Sequence, residues 1–202
     1  MPEEAQKEVP PGQRYVKRFI YYACLGVPDV DVQGYRLRVF GNVGREVSLP
    51  YEKLLSGPLS TVEKDFHCVT GWSVAGTRWE GVRLGELIGE AAPLPGSEWV
   101  MFHSLDGYTT PVPLRDALAP DSIVAVRLNG APLSREMGYP ARPIIPALYG
   151  WKSAKWLAGV EVLEGYRDGF WEERGYNEVG NVWKEERFKE WGGHLRRSPI
   201  SG

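Results

Sequence analysis

The stretch Asp65–Ser73 holds the side chains with the greatest chemical potential in this chain. It reads Asp-Phe-His-Cys-Val-Thr-Gly-Trp-Ser, with His67 directly before Cys68. Neighbouring side chains point to opposite faces of a regular strand, so His67 is poorly placed to act as the base for a Cys68 nucleophile. Two interpretations of Cys68 remain open. It is either an inert buried thiol or a thiolate that holds a soft metal, a role that suits thiolates.

A second stretch has the residue types of an anion site. Residues 149–156 read Tyr-Gly-Trp-Lys-Ser-Ala-Lys-Trp, and Arg142 lies shortly before them. Arginine offers a planar fork of donors, Lys152 and Lys155 offer point charges, and Ser153 adds a hydroxyl beside backbone N–H groups. Together they could surround a dianionic phosphate. The alternative is a solvated loop whose cations pair with surface carboxylates.

The composition excludes several classes of protein. The 202 residues are 43% hydrophobic and 25% charged, which is typical of a globular domain. A formal net charge of −2 argues against a nucleic-acid binder. No run of about 18 apolar residues predicts a membrane span. The apolar stretch 19–27 follows a polar leader and makes a poor export signal, so we expect a cytoplasmic protein.

The cysteines and histidines of the chain do not form a familiar metal motif. Two cysteines, Cys24 and Cys68, cannot build a disulfide framework. An ordinary structural zinc site is not expected either, because the histidines lie far apart in the sequence, at His67, His103 and His194.

Hydrophobic periodicity predicts an α+β fold that is rich in short strands. We expect a loose, polar N-terminal arm over residues 1–17 and a single domain over 18–202. Strands are predicted at 35–40, 61–70, 78–82, 98–103, 108–112, 122–128, 142–146 and 158–164, and helices at 50–55, 83–92 and 113–119. Asn129-Gly130 signals a tight turn. Cys68 therefore falls near the end of a strand, and residues 149–155 form a loop.

Several motifs, in order along residues 18–190, resemble the molybdopterin-binding domain of the sulfite oxidase superfamily. They are the His-Cys-Val-Thr-Gly-Trp-Ser segment, Trp79–Val82 and the 149–156 block. The chain looks most like the short prokaryotic sulfite-oxidase-like oxidoreductases. The catalytic subunit of the periplasmic methionine sulfoxide reductase system is a more distant relative. The resemblance implies mixed β-sheets with short helices, and an oxidoreductase with a molybdenum-molybdopterin cofactor.

The same resemblance implies roles for particular residues. Cys68 would be the protein ligand to molybdenum. The cofactor-binding set would be Tyr21, Tyr22, Ser104, Arg142, Lys152, Ser153, Ala154 and Lys155, with the last three at the phosphate end. The pocket wall near the metal would include His67, Trp72 and His103.

One departure from the family bears on the substrate. Animal and plant sulfite oxidases carry an arginine shortly after the ligand cysteine, whereas Trp72 holds the corresponding place here. An apolar wall favours an uncharged S- or N-oxide over a free dianion, because an unpaired charge is costly to desolvate. The resemblance thus implies oxygen-atom transfer on a small S- or N-oxide or a sulfite-like substrate.

The electrons of such a reaction would come from or go to a separate electron-transfer protein, because no haem, flavin or iron–sulfur motif is visible. We expect no haem domain, no immunoglobulin-like dimerisation domain and no export signal. Two alternatives stay open: a non-catalytic binding module that keeps the fold, and a metal-free thiol enzyme that uses Cys68.

Overall fold

Two mixed β-sheets and three short α-helices form the fold in the computed structural model, which describes residues 9–189. The strands are β1 (Arg14–Tyr15), β2 (Arg36–Gly41), β3 (Val47–Pro50), β4 (Ser60–His67), β5 (Trp72–Arg83), β6 (Trp99–Ser104), β7 (Thr109–Pro113), β8 (Ile123–Leu128), β9 (Ala131–Pro132), β10 (Arg142–Ile144) and β11 (Leu157–Leu163). The helices are α1 (Tyr51–Ser56), α2 (Leu84–Glu90) and α3 (Leu114–Ala117), and 3₁₀ turns span Gly150–Lys152 and Glu172–Arg174. None of the helices in residues 9–189 has the length and apolar character needed to cross a bilayer.

The strand order confirms the predicted α+β class. The first sheet runs β1-β5-β8-β10, with β4 paired to β5 and β9 paired to β8. The second runs β3-β2-β11-β6-β7. The β1–β5 and β2–β11 pairs are parallel and the remaining pairs are antiparallel, so each sheet is mixed.

Both sheets pack on one hydrophobic core. Leu37 and Val39 alternate with exposed residues along β2 and are fully buried. Val124 and Val126 of β8 join them from the other sheet. The opposite face of β8 packs on a second cluster around Trp79. Strand β8 is therefore buried on both faces, which gives the neighbouring strands a rigid support.

The predicted strands are all present, and their bounds differ most around Cys68. Strand β4 ends at His67 instead of continuing to residue 70, and β5 starts at Trp72, well before the predicted residue 78. The chain reverses in a tight turn between them, so that His67 pairs with Ser73. The Gly-Trp signal indicated this turn but not the length of the strand that follows it.

Part of the predicted N-terminal arm is attached to the first sheet. Residues 1–8 lie outside the described part of the chain. Arg14 and Tyr15 pair in parallel with Trp72 and Ser73, and the Val16 N–H donates to the Ser73 carbonyl at 2.8 Å. This segment therefore supports the start of β5. Residues 190–202, including His194, also lie outside the described range.

Candidate functional site

A cavity of about 420 Å³ opens beside the β4–β5 turn. The turn forms one wall, residues 19–24 a second and loop 150–156 a third. Most of the residues predicted to bind a cofactor or metal, or to form the pocket wall near the metal, line this cavity. They are Tyr21, Tyr22, Cys68, Trp72, Arg142, Ser153, Ala154 and Lys155. The structure thus brings together the two stretches that the sequence analysis singled out.

The Cys68 backbone is held by hydrogen bonds on both sides. Its N–H donates to the Trp72 carbonyl at 2.8 Å, and its carbonyl accepts from the Gly71 N–H at 3.0 Å and from Gln13 Nε2 at 3.1 Å. Gly71 has a φ of +92°, and a Cβ there would lie 3.0 Å from the Gly12 carbonyl oxygen. Only glycine meets both demands without strain. The turn therefore presents the Cys68 sulfur to the cavity at a fixed position.

Arg142 is a buried cation without a carboxylate partner among residues 9–189. Its Nη1 donates to the Met137 carbonyl at 3.1 Å and its Nη2 to the Ser153 carbonyl at 2.8 Å, while its Nε has no partner in the described chain. The guanidinium lies over the Phe66 ring. Burial lowers the Arg142 pKa to about 9. A buried cation in this state favours an anionic ligand, because buried charges are normally paired.

Lys155 is the second cation of the cavity. Its Nζ donates to the Tyr22 carbonyl at 2.7 Å. Burial, and after it the like charge of Arg142, lowers the Lys155 pKa to about 8. The next residue, Trp156, has a φ of 54°, which is uncommon for a bulky side chain and costs roughly 1–3 kcal/mol. Lys155 and Trp156 both line the cavity, so this backbone conformation lies at the candidate ligand site, where such strain often occurs.

Aromatic side chains form the wall around Cys68. Trp72 lies beside it on β5, and Tyr176 and Trp171 come from the irregular segment after β11. Burial raises the Tyr176 pKa, with the nearby Cys68 sulfur as a further cause. The rings of Tyr176 and Trp171 pack with centroids 4.9 Å apart. Trp171 and Tyr176 were not predicted as site residues, since no periodic pattern marks their segment.

Two predicted histidines lie away from this cavity. His67 points to the other face of β4, as the strand geometry predicts, and its Nδ1 is 2.8 Å from the Ser73 hydroxyl. It lines a separate cavity with Asp65 and Asp121. His103 on β6 pairs through Nε2 with Glu161 at 2.8 Å. Neither histidine therefore lines the cavity beside Cys68.

Lys152 also turns away from the cavity, because it forms a buried ion pair. Its Nζ contacts Glu172 Oε1 at 2.7 Å, and both side chains are completely buried. Burial lowers the Lys152 pKa, and Glu172 opposes that shift. Ser104 is buried with a hydroxyl that has no partner in residues 9–189, but it does not line the cavity. Of the two loop lysines, Lys155 lines the cavity and Lys152 does not.

The lining residues fit a ligand with an anionic end and a soft metal. Arg142 and Lys155 are cations without a carboxylate within 4 Å in the described chain, and the orphan Nε of Arg142 is a free donor. Cys68 supplies a thiol, which is the soft sulfur ligand that a metal such as molybdenum would accept. These groups line the same cavity, so one ligand could contact all of them.

Comparisons with known proteins agree with this geometry. A family model described as the oxidoreductase molybdopterin binding domain matches residues 24–171. The uncharacterized oxidoreductase YuiH of Bacillus subtilis is 38% identical over 181 residues, covering 89% of this chain and 91% of YuiH. Sulfite oxidase of Gallus gallus is 31% identical over 182 residues, covering 75% of this chain but 40% of that enzyme.

A solved structure shares the fold. The sulfane dehydrogenase SoxCD from Paracoccus pantotrophus matches with a TM-score of 0.62 at 24% identity, over 69% of this chain and 41% of that chain. The chain spans less than half the length of the sulfane dehydrogenase chain and of the sulfite oxidase. The match to SoxCD confirms the predicted sulfite oxidase-type fold.

Proposed function

Because this chain belongs to the oxidoreductase molybdopterin-binding domain family, we propose that the Cys68 thiolate is the protein ligand to the molybdenum of its cofactor. The chain is a molybdopterin-dependent oxidoreductase of the sulfite oxidase type. We further propose oxygen-atom transfer on a small S- or N-oxide or a sulfite-like substrate. When bound, the cofactor supplies a molybdenum centre that exchanges an oxygen atom and two electrons with the substrate.

One observation carries this proposal. The Cys68 thiol and two cations without carboxylate partners line a single cavity. In the proposal, Arg142, Ser153, Ala154 and Lys155 hold the phosphate end of molybdopterin. Arginine and lysine donors match phosphate oxygens, and the anion relieves the mutual repulsion of the two cations. Tyr21 and Tyr22 cover the cofactor from the side of segment 19–24.

The wall around Cys68 supports an uncharged substrate over a free dianion. Thr70, Trp72, Trp171 and Tyr176 line this part of the cavity, and none of them is a cation. In the proposal, the two cations of the cavity, Arg142 and Lys155, are taken up by the phosphate end of the cofactor. A dianion here would lose its hydration without gaining a cationic partner, which is costly. The aromatic rings instead exclude water from the metal and bind an apolar substituent.

A separate electron-transfer protein completes the proposed reaction. Transfer of one oxygen atom leaves two electrons to be supplied or removed. Within residues 9–189, no cluster of three or more histidine, cysteine or acidic side chains could hold a second metal centre. We therefore assign the electrons to an external partner.

Metal analysis of purified protein tests the ligand assignment. We expect stoichiometric molybdenum in the native protein, and a folded Cys68→Ser variant without active molybdenum, because a serine hydroxyl is a poor substitute for a soft thiolate. Cys24→Ser is the matched control, since Cys24 lines the same cavity and should leave the metal content unchanged. Activity with bound metal in Cys68→Ser would refute the assignment, as would metal-free protein from cells that make the cofactor.

A further inference from the structure

The hydroxyl of Thr70 is bonded to the sulfur that the proposed function gives to molybdenum. Thr70 Oγ1 lies 3.2 Å from Cys68 Sγ. We propose that Thr70 is a positioning residue whose hydroxyl donates a hydrogen bond to the ligated Cys68 thiolate and raises the reduction potential of the metal centre. This inference rests on the proposed ligation by Cys68.

Metal binding fixes the direction of this hydrogen bond. In the free thiol either atom could donate, because both the sulfur and the hydroxyl carry a hydrogen. A metal-bound cysteine is a thiolate and has no proton to give. Thr70 must then be the donor, and its hydroxyl can rotate to aim the hydrogen at the sulfur.

The turn keeps the donor and the sulfur together. Thr70 follows Cys68 by two residues, inside the turn that the Gly71 N–H closes on the Cys68 carbonyl at 3.0 Å. Gln13 and the Arg187 side chain bond to the carbonyls of Cys68 and Val69. Neither residue 68 nor residue 69 can move without breaking these bonds. The backbone that carries the Cys68 side chain is therefore held in place within the turn.

Thr70 supplies the one hydrogen bond to this sulfur within residues 9–189. The Cys68 N–H is directed elsewhere, to the Trp72 carbonyl. A hydrogen bond to a metal-bound sulfur withdraws negative charge and stabilises the reduced centre, as hydrogen bonds to sulfur do in iron–sulfur proteins. Thr70 is open to solvent beside the cavity, and a bound cofactor would shield the contact and strengthen it.

Redox titration of the loaded enzyme tests the inference. In Thr70→Val, which keeps the shape and removes the hydroxyl, we expect roughly a tenfold smaller equilibrium constant for one-electron reduction, about 59 mV lower in potential. Thr70→Ser should stay close to wild type. Thr61→Val is the matched control, because Thr61 is an exposed threonine at the far end of β4. The potential is read from the electron paramagnetic resonance of the metal, and X-ray absorption counts its sulfur ligands.

The outcomes separate the two proposals. An unchanged potential in Thr70→Val, with the Cys68 sulfur still on the metal, overturns the role of Thr70 and leaves the ligand assignment intact. If X-ray absorption of the wild-type enzyme shows that the Cys68 sulfur is not a ligand of the metal, the ligand assignment itself is overturned. Loss of molybdenum in Thr70→Val but not in Thr70→Ser supports the hydroxyl contact. Loss in both variants contradicts it.

Discussion

The two cavity cations show how single residues fit a cofactor that carries a phosphate. Arg142 donates to two carbonyls and keeps one orphan N–H, and Lys155 donates to the Tyr22 carbonyl. Burial lowers the pKa values of both groups, and the carbonyls do not offset this because they satisfy donors without neutralising charge. An anion would restore them, because a nearby negative charge favours the protonated form.

Sulfate binding to the cofactor-free protein measures this effect. Sulfate keeps its charge near neutral pH, so any change in affinity reports on the protein. The Lys155 pKa is lowered to about 8. The lysine is therefore charged below that pH and becomes neutral above it. We expect the sulfate affinity measured by calorimetry to fall roughly tenfold as the pH rises through this value. This is about the contribution of one charge-assisted hydrogen bond, which the neutral amine no longer makes.

Lys155→Met is the control for this pH dependence. The variant should bind sulfate weakly and show no step near pH 8. Protein for both titrations comes from cells that cannot synthesise molybdopterin. A wild-type affinity that stays constant across the pH range would show that Lys155 does not contact the anion.

At the scale of elements, the Lys152–Glu172 pair joins two 3₁₀ turns to the edge of the second sheet. Besides Glu172, the Lys152 Nζ contacts the carbonyls of Pro111 on β7 and Glu178. Glu172 Oε1 also accepts from Trp151 Nε1 at 2.8 Å. The pair thereby fixes the turn that carries the Trp151 ring to the cavity wall.

Breaking this pair should destabilise the protein without removing the anion site. In Lys152→Met the Glu172 carboxylate stays buried without its cation, which typically costs about 3–5 kcal/mol. Denaturant unfolding measures the loss. Lys184→Met, at an exposed lysine, is the control and should change stability little. If Lys152→Met instead lowers the free energy of unfolding only slightly and the folded variant lacks the cofactor, Lys152 contacts the cofactor.

The contrast between Lys152 and Lys155 shows what the sequence could and could not predict. Strand positions follow from local alternation, and Asn129-Gly130 forms the tight β8–β9 turn as predicted, with positive φ at both residues. The opposite directions of His67 and Cys68 also follow from strand geometry. No such rule gives the side-chain directions of two lysines that lie three residues apart in a loop. The direction of Lys152 depends on Glu172 and that of Lys155 on the Tyr22 carbonyl, and both partners lie outside the loop.

Across the whole molecule, the cavity is closed by a segment that neither sheet holds. Residues 19–24 form one wall and belong to no strand or helix. Within the described chain, the backbone of this segment makes one hydrogen bond to another part of the domain: the Tyr22 carbonyl accepts from Lys155 Nζ. The aromatic ring of Phe19 packs on Phe66 and Trp79 at its start. Such a segment opens more readily than the sheets.

Cofactor binding should therefore protect this segment from proteolysis. Tyr21 and Tyr22 are 57% and 68% exposed, so chymotrypsin can reach them. The cofactor would pack against the inner side of the segment and give it contacts that the free protein lacks. We expect cleavage after these tyrosines to be roughly tenfold slower in loaded protein, because cleavage follows the population of the open form. Cleavage sites are identified by mass spectrometry. Cleavage after Tyr166, which is exposed and does not line the cavity, is the internal control. Equal rates at Tyr21 and Tyr22 in loaded and free protein would mean that the bound cofactor does not contact this segment.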